Sequence, residues 1–278
     1  MVARTRRIRA AKRLGQHFLI DPVAAGRIVE AARVGANDLV VEIGPGRGAL
    51  TGPLLAVASR VVGIELDPAL CALLQQACGH RGDLSVLNCD VLKVNFPELV
   101  QSEGFARAVL VGNLPYQVTG AVVEQILDAR AVLTRAVLTV QREVARRMTA
   151  LPGGKDYGVL SIAVQLRTRP EWLFDLPPEH FSPVPRVHSS ALRLDFTSEP
   201  PVRVEDERVF FRVVRTAFQQ RRKMLKNTLS SLVGGQQDVL ARVCSGAGVD
   251  PLLRPEAISM EQFEQICRGL AAYSQDRA

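Results

Sequence analysis

The sequence predicts an α/β protein, with a doubly wound, seven-stranded, mostly parallel sheet followed by a small C-terminal all-helical domain. Three observations lead there. From residue 23 onward, short apolar runs alternate with segments of helical spacing, as repeated strand and helix units do. A glycine-rich turn, "IGPGRG", follows the first apolar run and precedes a helix. Beyond "TSEPP" at 197–201, which reads as a linker, only helical spacing is found.

Taken in order, "PVAAGRIVEAAR" is a helix whose apolar positions are Val23, Ile28 and Val29, flanked by alanines. "DLVVEIG" is a short buried strand, "TGPLLAVAS" opens a helix and "RVVGIEL" is a strand. "PALCALLQQACG" is a helix with proline in its first turn, where no amide donor is needed. "LSVLNCD", "RAVLVGN" and "RAVLTVQ" are three further strands, with "QVTGAVVEQILDA" a helix between the last two. After the turn-rich "GGKDYG", "VLSIAVQLRT" and "SALRLDF" are expected as an antiparallel closing pair, because no helix separates them. The C-terminal domain should hold "DERVFFRVVRTAFQQRRKMLKNTLSSLV" as one long helix, then "QQDVLARVCSGAG" and "SMEQFEQICRGLAAY". The expected domains are a basic segment at 1–20 that contributes to the site, the α/β domain at 21–198 and the helical domain at 202–278.

Composition narrows the class of partner. The chain has 278 residues, 47% of them hydrophobic, enough for one large and one small core. Its apolar runs fall far short of the roughly 20 residues a membrane-spanning helix needs, and cytoplasmic location is expected. A net charge of +7 favours polyanionic partners. Placement says more than the total: Arg4, Arg6, Arg7, Arg9, Lys12 and Arg13 all precede the first acid, Asp21, and a second cluster comprises Arg212, Arg215, Arg221, Arg222, Lys223 and Lys226. On one long helix, Arg212, Arg215, Arg222 and Lys226 form a basic stripe opposite Phe210, Val214, Ala217, Met224 and Leu232. The Arg-rich start also has the look of a transit peptide, but it runs directly into "GQHFLID". The five cysteines, odd in number and without a CxxC pair, suit reduced thiols, and the four histidines have no metal spacing, so no metal is expected.

Two clusters carry chemistry. In "VEIGPGRGALT", Gly44, Gly46 and Gly48 lie between a strand exit and a helix, where a missing Cβ admits a ligand to the backbone. Glu65 ends the next strand, at the position where such folds place a carboxylate on ribose hydroxyls, and Asp90 ends the third, in reach of an adenine amino group. Glu42 stands just before the first glycine. The glycines read G-x-G-x-G rather than the dinucleotide G-x-G-x-x-G, so a single nucleoside with a short polar tail fits better than NAD, and S-adenosylmethionine is such a ligand. The second cluster is "NLPY". Adenine N6 is a poor nucleophile because its lone pair is delocalised into the ring. Asn113 and the Leu114 carbonyl can accept the amino hydrogens, Pro115 stiffens the turn, and Tyr116 offers a ring for the base to stack on. Phe181, in the proline-stiffened "FSPVPRVHS", is the candidate for the other face of the base.

The segments "GQHFL", "VEIGPGRGALT", "IELD", "NCD", "GNLPYQVT", "QREVARRM", "KDYG", "FSPVPRVHS" and "AFQQRRKMLKNTL" occur in order from about residue 12 to 270. Together they resemble the ribosomal RNA adenine N6,N6-dimethyltransferase family, and within it the bacterial small-subunit branch. The resemblance implies a Rossmann-like class I fold that uses S-adenosylmethionine. It further implies transfer of two methyl groups to each of two adjacent adenosines in the 3′-terminal hairpin loop of 16S rRNA, with an immature 30S subunit as partner and a role in subunit biogenesis. Cofactor contacts are implied at His17, Leu19, Gly44, Glu65, Asp90 and Asn113, with His17 standing where many relatives carry Asn. The C-terminal domain is expected to grip rRNA, and the protein to be a monomer. Three rivals are a large-subunit enzyme of the erythromycin-resistance type, a mitochondrial relative with a transcription role, and a mainly non-catalytic 30S assembly factor. "FSPVPRVHS" and "QQRRKMLKN" match the small-subunit branch better than the first, only the Arg-rich start suggests the second, and an intact "NLPY" argues against the third.

Overall fold

The computed structural model describes residues 16–79, 82–196 and 199–275. The basic cluster from Arg4 to Arg13 lies outside the described residues. Among the described residues two compact units are present: one takes residues 16–145 and 168–196, and the other takes Arg146–Arg167 and residues 199–275.

The first unit contains β1 (Phe18–Leu19), α1 (Pro22–Ala32), β2 (Leu39–Ile43), α2 (Thr51–Leu55), β3 (Arg60–Glu65), α3 (Pro68–Cys78), β4 (Leu84–Asn88), α4 (Phe96–Ser102), β5 (Ala108–Asn113), α5 (Thr119–Asp128) and β6 (Leu133–Gln141). The chain then leaves within α6 (Arg142–Thr149), forms α7 (Val159–Arg167) in the second unit, and returns as β7 (Arg169–Leu176), β8 (Phe181–Ser182) and β9 (Ser189–Asp195). The sheet order is β4-β3-β2-β5-β6-β9-β7. β2 through β6 pair in parallel, and β9 runs antiparallel to both of its neighbours. Every residue of β2 is buried, the pattern of a strand covered on both faces. Asp21 and Asp67 start α1 and α3 with side-chain caps ahead of Pro22 and Pro68. The chain order reverses between β2 and β5, so the carboxyl ends of these strands meet at a topological switch point.

The segment expected as the sixth strand, "VLSIAVQLRT", is instead helix α7. Val159, Ile162, Ala163 and Leu166 repeat at helical intervals and meet the second unit's core, and a short apolar run does not reveal its period unaided. The sixth strand is β7, where Pro170 is tolerated because β7 is an edge strand. This displacement also corrects the domain boundary: 146–167, placed in the α/β domain by the sequence, belongs to the helical unit.

The second unit adds α8 (Glu207–Phe218), α9 (Leu225–Thr228), α10 (Gln237–Gly246) and α11 (Met260–Gln275). Its core gathers Phe210, Phe211, Val214, Phe218, Leu225, Leu240, Ile258, Phe263 and Ile266 around Tyr157 and Ile162. The long helix expected over 206–233 stops at Phe218. Continuing the core face of α8 by three and four residues would put Arg221 and Arg222 into the core, at a prohibitive desolvation cost. The chain turns instead, and α9 restarts with Leu225 buried and its amide donating to the Leu253 carbonyl. Phe210, Val214 and Ala217 are buried as expected, whereas Met224 is exposed. Among the described residues, no helix is long and apolar enough to cross a membrane.

Candidate active site

At the carboxyl ends of β2, β3, β4 and β5 the first unit opens into a cleft. Its walls include Gln16, His17 and Phe18 from the entry segment, Gly44 and Gly46 from the glycine turn, Glu65 and Leu66 after β3, and Asp90 and Val91 after β4. Asn113, Leu114, Pro115 and Tyr116 complete it after β5. Almost the whole expected site is therefore one continuous surface.

The glycine turn requires its glycines. Gly44 and Gly46 have φ of +65° and +57°, in the left-handed region. A Cβ on Gly46 would lie 2.8 Å from Phe18 Cδ1, so the turn and the entry segment fit only without a side chain there. Gly48 (φ +84°) faces Leu74 and shapes the turn without lining the cleft.

Glu65 is held by backbone alone. The Asp67 amide donates to Oε1 at 3.0 Å and the Gly46 amide to Oε2 at 3.1 Å. Burial pushes its carboxyl above the usual range, while these amides pull the other way. A carboxylate fixed this way at a cleft wall retains acceptor capacity, the arrangement that receives a vicinal diol. Asp90 Oδ1 accepts from the Leu92 amide at 3.0 Å, which orients the carboxylate at the cleft wall. Ile43, Ile64, Leu66 and Val91 add apolar surface, and Leu66 is 49% exposed for so large an aliphatic. Glu42 does not line this cleft. It lies 1% exposed beneath the glycine turn, accepts from Thr51 Oγ1 at 2.7 Å, and is pushed up to about 7 by burial, assisted by the nearby Glu65 charge.

At the other end, Asn113 Nδ2 donates to the His17 carbonyl at 2.8 Å. A carbonyl only accepts, so this bond fixes the amide's orientation and leaves Oδ1 as the outward acceptor. The Pro115 carbonyl closes the turn by accepting from the Val118 amide and Thr119 Oγ1. The Tyr116 ring stacks on His17, with centroids 5.3 Å apart and an interplanar angle of 26°. His17 Nδ1 lies 2.6 Å from the Pro183 carbonyl, so Nδ1 carries the proton.

Two expected residues fall elsewhere. Phe181 is 1% exposed, belongs to the hydrophobic core and does not line the cleft, so in this structure it offers no second face for a base. Its backbone in β8 pairs with Leu19 in β1, and both side chains belong to the same buried cluster. Leu19 is likewise in the core, behind the cleft. Both sit in two-residue strands, and whether such a residue points to the core or to a ligand depends on strand register, which the sequence does not state. Leu66, which lines the cleft directly after Glu65, carried no sequence signal, because its exposure is visible only in the fold. Ser189, which meets the Tyr116 hydroxyl at 2.8 Å, was missed for want of any local signal.

In the second unit, Arg212 and Arg215 are exposed on α8, Arg222 and Lys223 are exposed in the following turn, and Lys226 is half-buried on α9. They do not form the single helical stripe expected. Arg221 donates to the carbonyls of Lys155 and Tyr157, at 2.6 and 2.8 Å, and so ties the 153–158 loop to the turn.

The cleft's donor set suits S-adenosylmethionine: a backbone-fixed carboxylate for a ribose diol, a carboxylate and apolar walls for adenine, and a side-chain-free turn for the amino-acid tail. Comparison with known proteins agrees. The family model described as Ribosomal RNA adenine dimethylase matches residues 7–271. The chain is 44% identical over 265 residues to Ribosomal RNA small subunit methyltransferase A of Moorella thermoacetica, covering 93% of this chain and 92% of that one. It is 39% identical to the protein of the same name from Caldanaerobacter subterraneus, covering 95% and 98%. Among solved structures, the 23S rRNA methyltransferase ErmE aligns at 26% identity and TM-score 0.71, over 91% of this chain and 99% of its own. A dimethyladenosine transferase from Plasmodium falciparum shares the fold at TM-score 0.74 and 23% identity, over 94% and 98%. By motif, cleft geometry and similarity along nearly its whole length, the chain belongs to the ribosomal RNA adenine dimethylase family.

Proposed function

We propose that this protein dimethylates N6 of two adjacent adenosines in the 3′-terminal hairpin loop of 16S rRNA, using S-adenosylmethionine. The observation that carries the reading is the Asn113 amide, which lines the cleft together with Glu65 and Asp90 and is pinned through Nδ2 to the His17 carbonyl, leaving Oδ1 as its acceptor. The names borne by the relatives at 39–44% identity support the small subunit as substrate.

The cofactor, when bound, supplies an electrophilic methyl group on a sulfonium. The residues of this chain do the rest. Glu65 would hold the ribose, Asp90 the adenine edge and the glycine turn the tail, in the same cleft that Asn113 lines. Asn113 Oδ1 and the Leu114 carbonyl accept the hydrogens of the target amino group and draw its lone pair out of conjugation. Tyr116 stacks on the target base, and His17, stacked on Tyr116 in this structure, closes that end. No strong base is required, because the nitrogen becomes acidic once alkylated. The contribution of Asn113, Leu114 and Tyr116 would then be chiefly to hold the target nitrogen in position.

Arg212, Arg215, Arg222 and Lys223 are exposed and suited to rRNA phosphates, which give affinity and orientation but no base identity. The immature 30S particle is the proposed substrate, with the enzyme acting as a monomer in the cytoplasm where subunits are assembled. The likeness to ErmE favours one second reading, methylation of large-subunit RNA.

Tritiated S-adenosylmethionine with unmethylated 30S subunits, followed by mass mapping of labelled nucleosides, tests both. Dimethyladenosine in the 3′-terminal hairpin is expected, with Asn113→Ala losing at least 100-fold in rate, of the order misaligned groups cost. Label on 23S rRNA alone establishes the second reading, and no label with tight subunit binding leaves an assembly factor.

A further inference from the structure

Tyr116 is anchored at the end farthest from its backbone. Its hydroxyl lies 2.8 Å from Ser189 Oγ. Ser189 is fully buried at the first position of β9, paired with Gln141 of β6 on one side and Leu176 of β7 on the other. A serine whose strand is paired on both sides has a fixed backbone, so the phenol is tied to the sheet. Ser189 does not line the cleft and meets it through this hydroxyl.

The ring's face is constrained from the same stretch of chain. His17 stacks on it, and His17 Nδ1 donates to the Pro183 carbonyl at 2.6 Å. Residues 181–189 thus hold the Tyr116 edge through Ser189 and the stacked imidazole through Pro183. A tyrosine turns about two side-chain torsions, and a small change in either swings the hydroxyl end furthest. A hydrogen bond at that end is the most effective way to fix the ring plane.

We propose that Ser189 is a positioning residue for methyl transfer: its hydroxyl sets the plane of the Tyr116 ring, and with it the alignment of an adenine stacked there relative to Asn113. The inference rests on the reading of this cleft as the site that accepts adenine. Burial raises the Tyr116 hydroxyl above its usual range, so the ring is a neutral phenol able to share a proton with Ser189 in either direction.

Ser189→Ala, Tyr116→Phe and the double variant test it, since the two single changes remove one and the same hydrogen bond while a ring remains for stacking. Steady-state methylation of unmethylated 30S subunits gives kcat and KM, calorimetry with S-adenosylhomocysteine gives cofactor affinity, and thermal unfolding checks the fold. Each single variant is expected to lower kcat about tenfold or more, as sub-ångström misplacement does, with S-adenosylhomocysteine affinity unchanged. The double variant is expected to be no worse than either single one. An unchanged kcat in Ser189→Ala, or losses that multiply in the double variant, overturns the proposal. Should Ser189→Ala not fold, Tyr116→Phe decides alone, because it removes the bond from the cleft side, and an unchanged kcat there refutes the idea. A wild-type protein that binds S-adenosylhomocysteine but labels no adenosine instead defeats the reading of the cleft, and the role of Ser189 falls with it.

Discussion

Replacing Glu42 with Gln should change how the stability of the α/β unit depends on pH. Glu42 is wholly enclosed beneath the glycine turn, its one side-chain hydrogen bond comes from Thr51 Oγ1 at 2.7 Å, and Glu65 adds a second negative charge nearby. Its carboxyl is therefore raised from 4.5 to about 7. An acid whose folded value exceeds its unfolded value binds its proton more tightly when folded. Stability is then greatest below 4.5 and falls as pH rises through about 7, where the folded state also ionises. The interval corresponds to about 3 kcal/mol, as an order of magnitude. Gln keeps the shape and an acceptor for Thr51 but does not titrate. The single tryptophan, Trp172, lies in β7 of the same unit, so its fluorescence during urea unfolding reports the correct body. The free-energy difference between wild type and Glu42→Gln should shift by about 3 kcal/mol between pH 4.5 and pH 8, with wild type losing ground as pH rises. A difference constant across that range would show that Glu42 is not the proton-binding group its burial implies.

Further outcomes follow from the same geometry. Gly46→Ala must place a Cβ 2.8 Å from Phe18 in a left-handed conformation, and S-adenosylhomocysteine affinity by calorimetry should fall at least tenfold, beyond a stability loss of about 1–2 kcal/mol. Arg221→Ala and Arg222→Ala should separate two roles within one basic run. Removing Arg221 deprives the Lys155 and Tyr157 carbonyls of a donor and should lower the melting free energy of the helical unit by about 1 kcal/mol. Removing exposed Arg222 should leave melting unchanged within about 0.5 kcal/mol and reduce the salt dependence of rRNA binding by close to one phosphate contact.

The strands that build the site were legible because they are short, mostly apolar runs, and at the exits of β3, β4 and β5 stand polar residues that have no core duty. Glu65, Asp90 and Asn113 stood out for that reason, and Gly44 and Gly46 because only glycine tolerates that turn. Local signals of this kind need no knowledge of what lies across the fold. The proline in the first turn of α3 was equally local.

What the sequence determined alone was thus the order of most elements, the ligand-bearing strand ends and the family to which the motifs belong. Tertiary structure decided the matters that depend on a partner distant in sequence. The run 159–167 is a helix because the second unit's core receives its helical face, although the run reads equally well as a strand. Phe181 faces the core because β8 pairs with β1 in one register, and a shift of one residue would have sent it the other way. The basic run after Phe218 leaves the helix because its continuation would bury two arginines. Ser189 meets Tyr116 across 73 positions of chain because β9 inserts between β6 and β7, an outcome of sheet order that no local pattern encodes.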